Sequence, residues 1–203
     1  MFIRPDHFLE QLYKENVPKY SFSATTKHEW EIWRDNLKKV FIDKLGGFPE
    51  KRAELNPRII EEKDLGDYTR QRVVYTIMES LDMISYVLIP KNAGDKLPAI
   101  VACHGHGYGG KEIIGLKFDG SEQTDGATYQ KNFALELVKR GFFVIVPELL
   151  GFGDRTLEKD GEKAHTGHSS CYHISTNLLM YGKTMPGMRV YEIMRTIDYL
   201  FTR

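Results

Sequence analysis

Apolar residues in the first seventy positions recur three and four apart on a charged background. Phe8, Leu9, Leu12 and Tyr13 fall on one helical face. Thr26 and Glu29 have the spacing of a capping box, in which two side chains satisfy the free amides at a helix start. Trp30, Trp33, Leu37, Val40, Phe41 and Leu45 follow at helical spacing, and Gly46-Gly47 with Pro49 stops the run. The aromatic stripe reads as a packing face that needs a cover, either the following domain or a partner subunit. Residues 1–70 are therefore expected to form a helical N-terminal extension.

From residue 71 the pattern shortens. Arg72–Met78 and Met83–Ile89 are β-rich runs joined by Glu79-Ser-Leu-Asp82, which predicts a hairpin. Pro90–Pro98 is a polar loop, and Pro98–Cys103 is a short, wholly apolar strand. A helix is expected from near Gly126 to Gly141, on Tyr129, Phe133, Ala134, Leu137 and Val138. Phe142–Val146 is a second wholly apolar strand. Two uninterrupted apolar strands separated by a helix predict a parallel pair buried on both faces. Residues 148–187, rich in Gly, His and Ser, read as irregular. A final amphipathic helix uses Val190, Ile193, Met194, Ile197, Leu200 and Phe201. The fold class is α/β, with a mixed sheet over residues 71–203.

Composition narrows the function classes. With 203 residues, 41% of them hydrophobic, the chain has the apolar mass for a core and is not a disordered segment. Lys+Arg and Asp+Glu are 28 each, so the basic excess of a general nucleic-acid binder is lacking. No apolar run approaches the roughly 18 residues of a membrane span, and residues 1–17 lack the h-region of a secretory signal. Cys103 and Cys171 are too few for a disulfide framework, so a cytoplasmic setting is expected.

Candidate chemistry centres on Gly105-His-Gly107-Tyr-Gly109-Gly110, which follows a predicted strand and satisfies G-x-G-x-x-G. One reading is a dinucleotide loop, with Glu148 imitating the ribose-binding acid. Against it, the next evident helix starts well past the third glycine, Glu148 lies well beyond the usual spacing of about 20 residues, and a hairpin precedes the strand. The other reading uses the same glycines to bring backbone N–H groups close to a substrate. Fixed N–H donors stabilise the oxyanion formed in acyl transfer without reorganising.

Three blocks in order, PAIVACHGHGYGGKE, GFFVIVPELLGFGDR and NLLMYGKTMPGMRVYEIMRTIDYL, resemble the dienelactone-hydrolase and acetyl-xylan-esterase-like branch of the α/β-hydrolase superfamily. The resemblance covers roughly residues 55–203. It implies the N-terminal part of an α/β-hydrolase fold, with the hairpin as its first two strands and a spatial order of first, second, fourth, third. It implies a serine esterase whose Ser-Asp-His triad hydrolyses a small-molecule ester, without cofactor or metal, nucleic acid or membrane. Here His106, with Gly107, would supply backbone oxyanion donors. His104, Gly105, Tyr108, Glu148 and Arg155 are the candidates for lining the substrate cleft, His104 as a structural side chain behind the loop.

No G-x-S-x-G elbow is present. Gly167-His-Ser169-Ser-Cys171 lacks the last glycine and a preceding strand, and His173 and Asp198 come in the wrong order for a triad. The triad is therefore expected beyond residue 203, and the chain alone is expected to be inactive. The apolar edge left at Pro98–Cys103 is expected to be covered by the missing C-terminal half or by a homo-oligomer. A non-catalytic hydrolase-like binding module is the other reading. His104 and His106, with His165, His168, Cys171 and His173, have spacings that zinc accepts, but the second group reads more simply as a solvated loop. Glu148 and Arg155 are expected to form an ion pair that pins their loop, and Asp198 to be a structural group at a helix end.

Overall fold

The computed structural model describes residues 3–91, 94, 96–164 and 166–203, the side chains of 162–164 excepted. It divides into two compact units, residues 1–44 and 45–203. The first holds helices α1 (Asp6–Glu15) and α2 (Lys27–Lys44). The capping box forms at α2: Thr26 Oγ1 accepts the Glu29 N–H at 3.2 Å, and Glu29 Oε2 accepts the N–H groups of Thr25 and Thr26. The Thr25 and Thr26 donors hold the Glu29 carboxyl below its ordinary range. Trp33 meets Phe22 edge to face at 5.0 Å and donates its indole N–H to the Tyr20 carbonyl. Neither helix carries a fully buried residue.

The second unit is built on one five-stranded sheet. Its strands are β1 (Arg58–Asp64), β2 (Tyr68–Met78), β3 (Leu81–Pro90), β4 (Ala99–Val101) and β5 (Phe143–Pro147), in spatial order β1-β2-β3-β5-β4. Only β4 and β5 run parallel; the other neighbours are antiparallel. Leaving β1 aside, this is the expected order of first, second, fourth, third. The hairpin is tighter than expected: Leu81 pairs with Met78 and Asp82 with Thr76, so Glu79 and Ser80 alone make the turn.

Strand β1 corrects the reading of residues 1–70 as wholly helical. Its sequence, RIIEEKD, lacks alternation because both its faces are exposed, and main-chain pairing with β2 holds it.

Side chains of β5 alternate between two cores. Val144 and Val146 join Tyr86 and Leu88 under α3 (Gly110–Ile113) and α4 (Phe133–Lys139). Ile145 joins Val73, Tyr75, Ile77 and Val87 on the other face, closed by Tyr199 of α7 (Met185–Leu200). Each fully buried aliphatic side chain of this kind contributes about 1.5–3 kcal/mol. Strand β4, at the sheet edge, is only half-buried, unlike β5.

Helix α4 starts seven residues later than the apolar pattern suggests. Lys131 and Asn132 sit at φ +57° and +50°, a left-handed pair that interrupts any helix before Phe133, and Tyr129 is left exposed. The segment 148–187 is not irregular either. It contains a 3₁₀ turn (Gly153–Arg155), α5 (Glu158–Ala164), α6 (Cys171–Met180) and the start of α7. Helix α6 escaped notice because none of its residues is buried, so it needs no apolar stripe.

A chain of hydroxyls crosses the second core. The Tyr75 hydroxyl lies 2.9 Å from Ser85 Oγ and 2.8 Å from Thr196 Oγ1, and its ring stacks on Tyr199. Burial pushes the Tyr75 and Tyr86 phenols up to about 12. A raised phenol is neutral in the folded chain where the unfolded chain, near 10, already ionises. Its contribution to stability is complete below that pH and falls as pH climbs toward about 12. Titration of phenolate absorbance is thus expected to show late-ionising tyrosines, with the urea midpoint falling over the same range. Simultaneous ionisation of every tyrosine near 10 in a chain that keeps its native circular dichroism would contradict this.

Candidate functional site

The glycine-rich loop leaves the C-terminal end of β4. The Ala102 N–H still donates to Ile145 in β5, the Cys103 side of the chain is exposed, and His104 turns inward. The His104 side chain is completely buried. Its Nε2 lies 3.1 Å from the Leu149 N and 3.2 Å from Glu148 Oε1, and its Nδ1 lies 2.9 Å from the Gly105 carbonyl oxygen. His104 thus stands behind the loop as a structural side chain and does not line a cleft.

Glycine spacing in this loop matches carboxylates of the chain itself. A Cβ on Gly107 would lie 1.8 Å from Glu112 Oε2, and one on Gly109 would lie 2.0 Å from Glu148 Oε1. Both glycines also hold positive φ, +135° and +96°. The two acids are buried, Glu112 at 4% and Glu148 at 2% exposure. Glu112 accepts the Tyr108 N–H at 3.3 Å, and Glu148 Oε1 accepts the Gly110 N–H at 3.0 Å. Contrary to the sequence reading, a helix does begin at the third glycine of the motif, the single turn α3. Its first amide is occupied by Glu148, so a diphosphate seated there would meet a carboxylate. That geometry speaks against the dinucleotide reading.

The remaining amides sort themselves. Gly105 donates to Gln130 Oε1 at 2.7 Å, while Gln130 returns a bond to the His106 carbonyl. Tyr108 and Gly110 donate to the two glutamates. Among the described residues, the N–H groups of His106, Gly107 and Gly109 have no acceptor, and the first two are consecutive. The exposed His106 ring meets Phe152 edge to face at 5.6 Å. The half-buried Tyr108 turns its hydroxyl to the Leu116 carbonyl, and burial raises that phenol above its ordinary range.

Glu148 and Arg155 do not pair through their side chains, which corrects the expected ion pair. The Arg155 guanidinium bonds the Glu148 main-chain carbonyl at 2.8 Å and pairs with Glu192 of α7 at 2.5 Å. Glu192 also accepts the Leu150 N–H. Both Glu148 and Arg155 are buried at the side chain, so neither faces a cleft in this chain. Sequence reasoning missed Glu112, Gln130 and Glu192. The one available signal was indirect: glycines spaced for a close approach imply that something approaches them.

The Ser170 region is a structural knot. Ser170 Oγ is buried, accepts the Leu157 N–H and donates to Asp160 Oδ2, while His173 Nδ1 lies 3.1 Å from that same oxygen. The imidazole therefore does not stand between serine and acid, as a base activating a nucleophile must. His168 is engaged with Thr166, and His165 lies outside the described residues. No group of three metal-ligating side chains gathers among the described residues. Asp198 pairs with Arg52 and Arg195, as a structural group.

An apolar groove runs beside the loop, between the end of β4 and the outer face of α7. Cys103, Leu149, Val190, Ile193 and Ile197 line it. Burial pushes the Cys103 thiol up.

The chain is 28% identical over 177 residues to "Putative hydrolase YtaP" of Bacillus subtilis (strain 168), a match covering 84% of this chain and 52% of that protein. Its fold superposes on the crystal structure of a "putative acetyl xylan esterase (BF1801)" from Bacteroides fragilis NCTC 9343 with a TM-score of 0.82 at 19% identity, over 100% of this chain and 51% of that one. A glucuronoyl esterase from Solibacter usitatus gives a TM-score of 0.56 at 14% identity, over 92% of this chain and 52% of that one. The chain thus spans about half the length of the relatives it matches. The mixed sheet with its flanking helices is of the α/β-hydrolase type. The sequence profile of the Abhydrolase family matches residues 2–201, and the chain belongs to that family.

Proposed function

We infer that this chain carries the oxyanion-donating part of a serine carboxylic ester hydrolase. One observation carries the reading: at the C-terminal end of β4, where open α/β sheets bind ligands, two consecutive amides have no acceptor among the described residues while Gly105 and Tyr108 on either side have one. In the reaction a serine attacks the acyl carbonyl, and a histidine oriented by an aspartate takes the serine proton and later gives it to the leaving alcohol. The His106 and Gly107 N–H groups receive the negative charge on the former carbonyl oxygen. The triad comes from polypeptide outside these 203 residues. That polypeptide adds to the β4 edge and covers the groove against α7. The relatives' greater length and the apolar lining of the groove support this placement. No described helix is long and apolar enough to cross a membrane, and we assign the protein to the cytoplasm on its two unpaired cysteines.

The test is hydrolysis of p-nitrophenyl acetate by two proteins. The 203-residue chain is expected to show no turnover. The same chain extended by whatever its coding frame supplies beyond Arg203 is expected to turn over, with loss of activity when the serine of a G-x-S-x-G in the extension is replaced. Stoichiometric turnover by the short chain, or an inert extended one, would sink the assignment.

A further inference from the structure

We propose that Glu148 is the positioning residue of the oxyanion loop, fixing where the His106 and Gly107 amides point. The proposal rests on reading those amides as oxyanion donors.

The loop is tied at both ends to consecutive residues of one rigid strand end. At its start, His104 Nε2 lies 3.1 Å from the Leu149 N; at its finish, the Gly110 N–H is held by the Glu148 carboxylate. Glu148 is itself anchored, its N–H donating to Ile84 of β3 at 2.9 Å. Between the two ties the chain passes through His106 and Gly107, two consecutive amides with no acceptor among the described residues. The fit around the carboxylate is close on two sides, since a Cβ on Gly109 would stand 2.0 Å from Oε1 and one on Gly153 would stand 2.6 Å from Oε2.

Stability gives little reason for a carboxylate here. Glu148 Oε2 is fully buried and has no hydrogen-bond partner among the described residues. A buried polar atom without a partner is destabilising relative to an apolar one of the same shape. What the side chain provides is reach: it spans from the end of β5 to the first amide of α3. The role is positional and not catalytic, because the carboxylate lies behind the loop.

The experiment follows backbone amide resonances of the complete 203-residue chain during titration with acetate, a small anion that stands in for the oxyanion. In the wild type, the His106 and Gly107 amide protons are expected to move downfield. Glu148→Ala removes the side chain, and Glu148→Asp keeps its charge but draws the carboxyl back by one methylene. Both are expected to lose the response, with the Val87 and Ile145 amides unmoved. Glu148→Gln keeps reach and an acceptor oxygen and is expected to retain it. A wild-type response that survives in the Ala and Asp variants overturns the positioning role and leaves the donors standing. Loss in Glu148→Gln assigns the effect to charge and also overturns it. No response in the wild type overturns the donor reading and takes this proposal with it. Should the Ala and Asp variants disturb Val87 and Ile145, Gly153→Ala decides, since its methyl displaces the carboxylate without removing it. A response retained there overturns the proposal.

Discussion

Glu192→Ala is expected to lower the unfolding free energy by about 3–5 kcal/mol, read as a fall in the urea midpoint. Glu192 is wholly buried in α7, and its carboxylate meets Arg155 with one oxygen and the Leu150 N–H with the other. Removing it leaves a guanidinium at 7% side-chain exposure without its counter-charge and a main-chain donor without an acceptor. The remaining Arg155 contacts, the Glu148 carbonyl and Met83 Sδ, supply no negative charge. Because breaking a buried pair harms more than replacing it, Arg155→Met with Glu192→Leu is expected to recover much of the loss. A loss below about 1 kcal/mol in the single variant, the range of an exposed pair, would contradict this account.

Gly187→Ala is the second large effect, and helix propensity alone gets its sign wrong. Alanine inside a helix normally gains about 1 kcal/mol over glycine. Here the new Cβ would stand 2.0 Å from the Leu45 carbonyl oxygen and 3.0 Å from its carbon. Those atoms are backbone and cannot rotate away. The same carbonyl accepts the hydroxyl of Thr184, which caps α7 by accepting the Gly187 N–H at 3.1 Å. Displacing α7 therefore breaks its cap and lifts Tyr199 from the core as well. We expect a loss of about 3 kcal/mol in urea unfolding, at the upper end for an overpacked site. A variant as stable as the wild type would show that α7 slides without penalty.

What the sequence disclosed follows from burial. Strand β5 was evident because both its faces are covered, which leaves a run of FVIVP with no polar interruption. The hairpin was evident because β2 buries Val73, Tyr75 and Ile77 in strict alternation. Elements with no buried side chain left no such mark. Strand β1 has no buried side chain, and α6 has none either. In the candidate site, the glycines and His104 could be singled out from their order along the chain. Glu112 and Gln130 could not, because no spacing rule joins them to the glycines, and Glu148 drew notice for other roles and not as the partner of Gly110. The expected pairing of Glu148 with Arg155 failed for a related reason. Arg155 had a better partner in α7, thirty-seven residues further along.

The two borders of the sheet differ in kind. On one side β1 presents Arg58, Glu61, Glu62, Lys63 and Asp64 to solvent and is kinked by an irregular register between Ile59 and Glu61. Charge and kinking of this sort discourage any further strand from lying alongside. On the other side stand Ala99, Ile100 and Val101, short and uncharged, with an oily furrow next to them. The sheet therefore has one long flank rich in charge and one short flank with none, and the second is the less defended against a further strand.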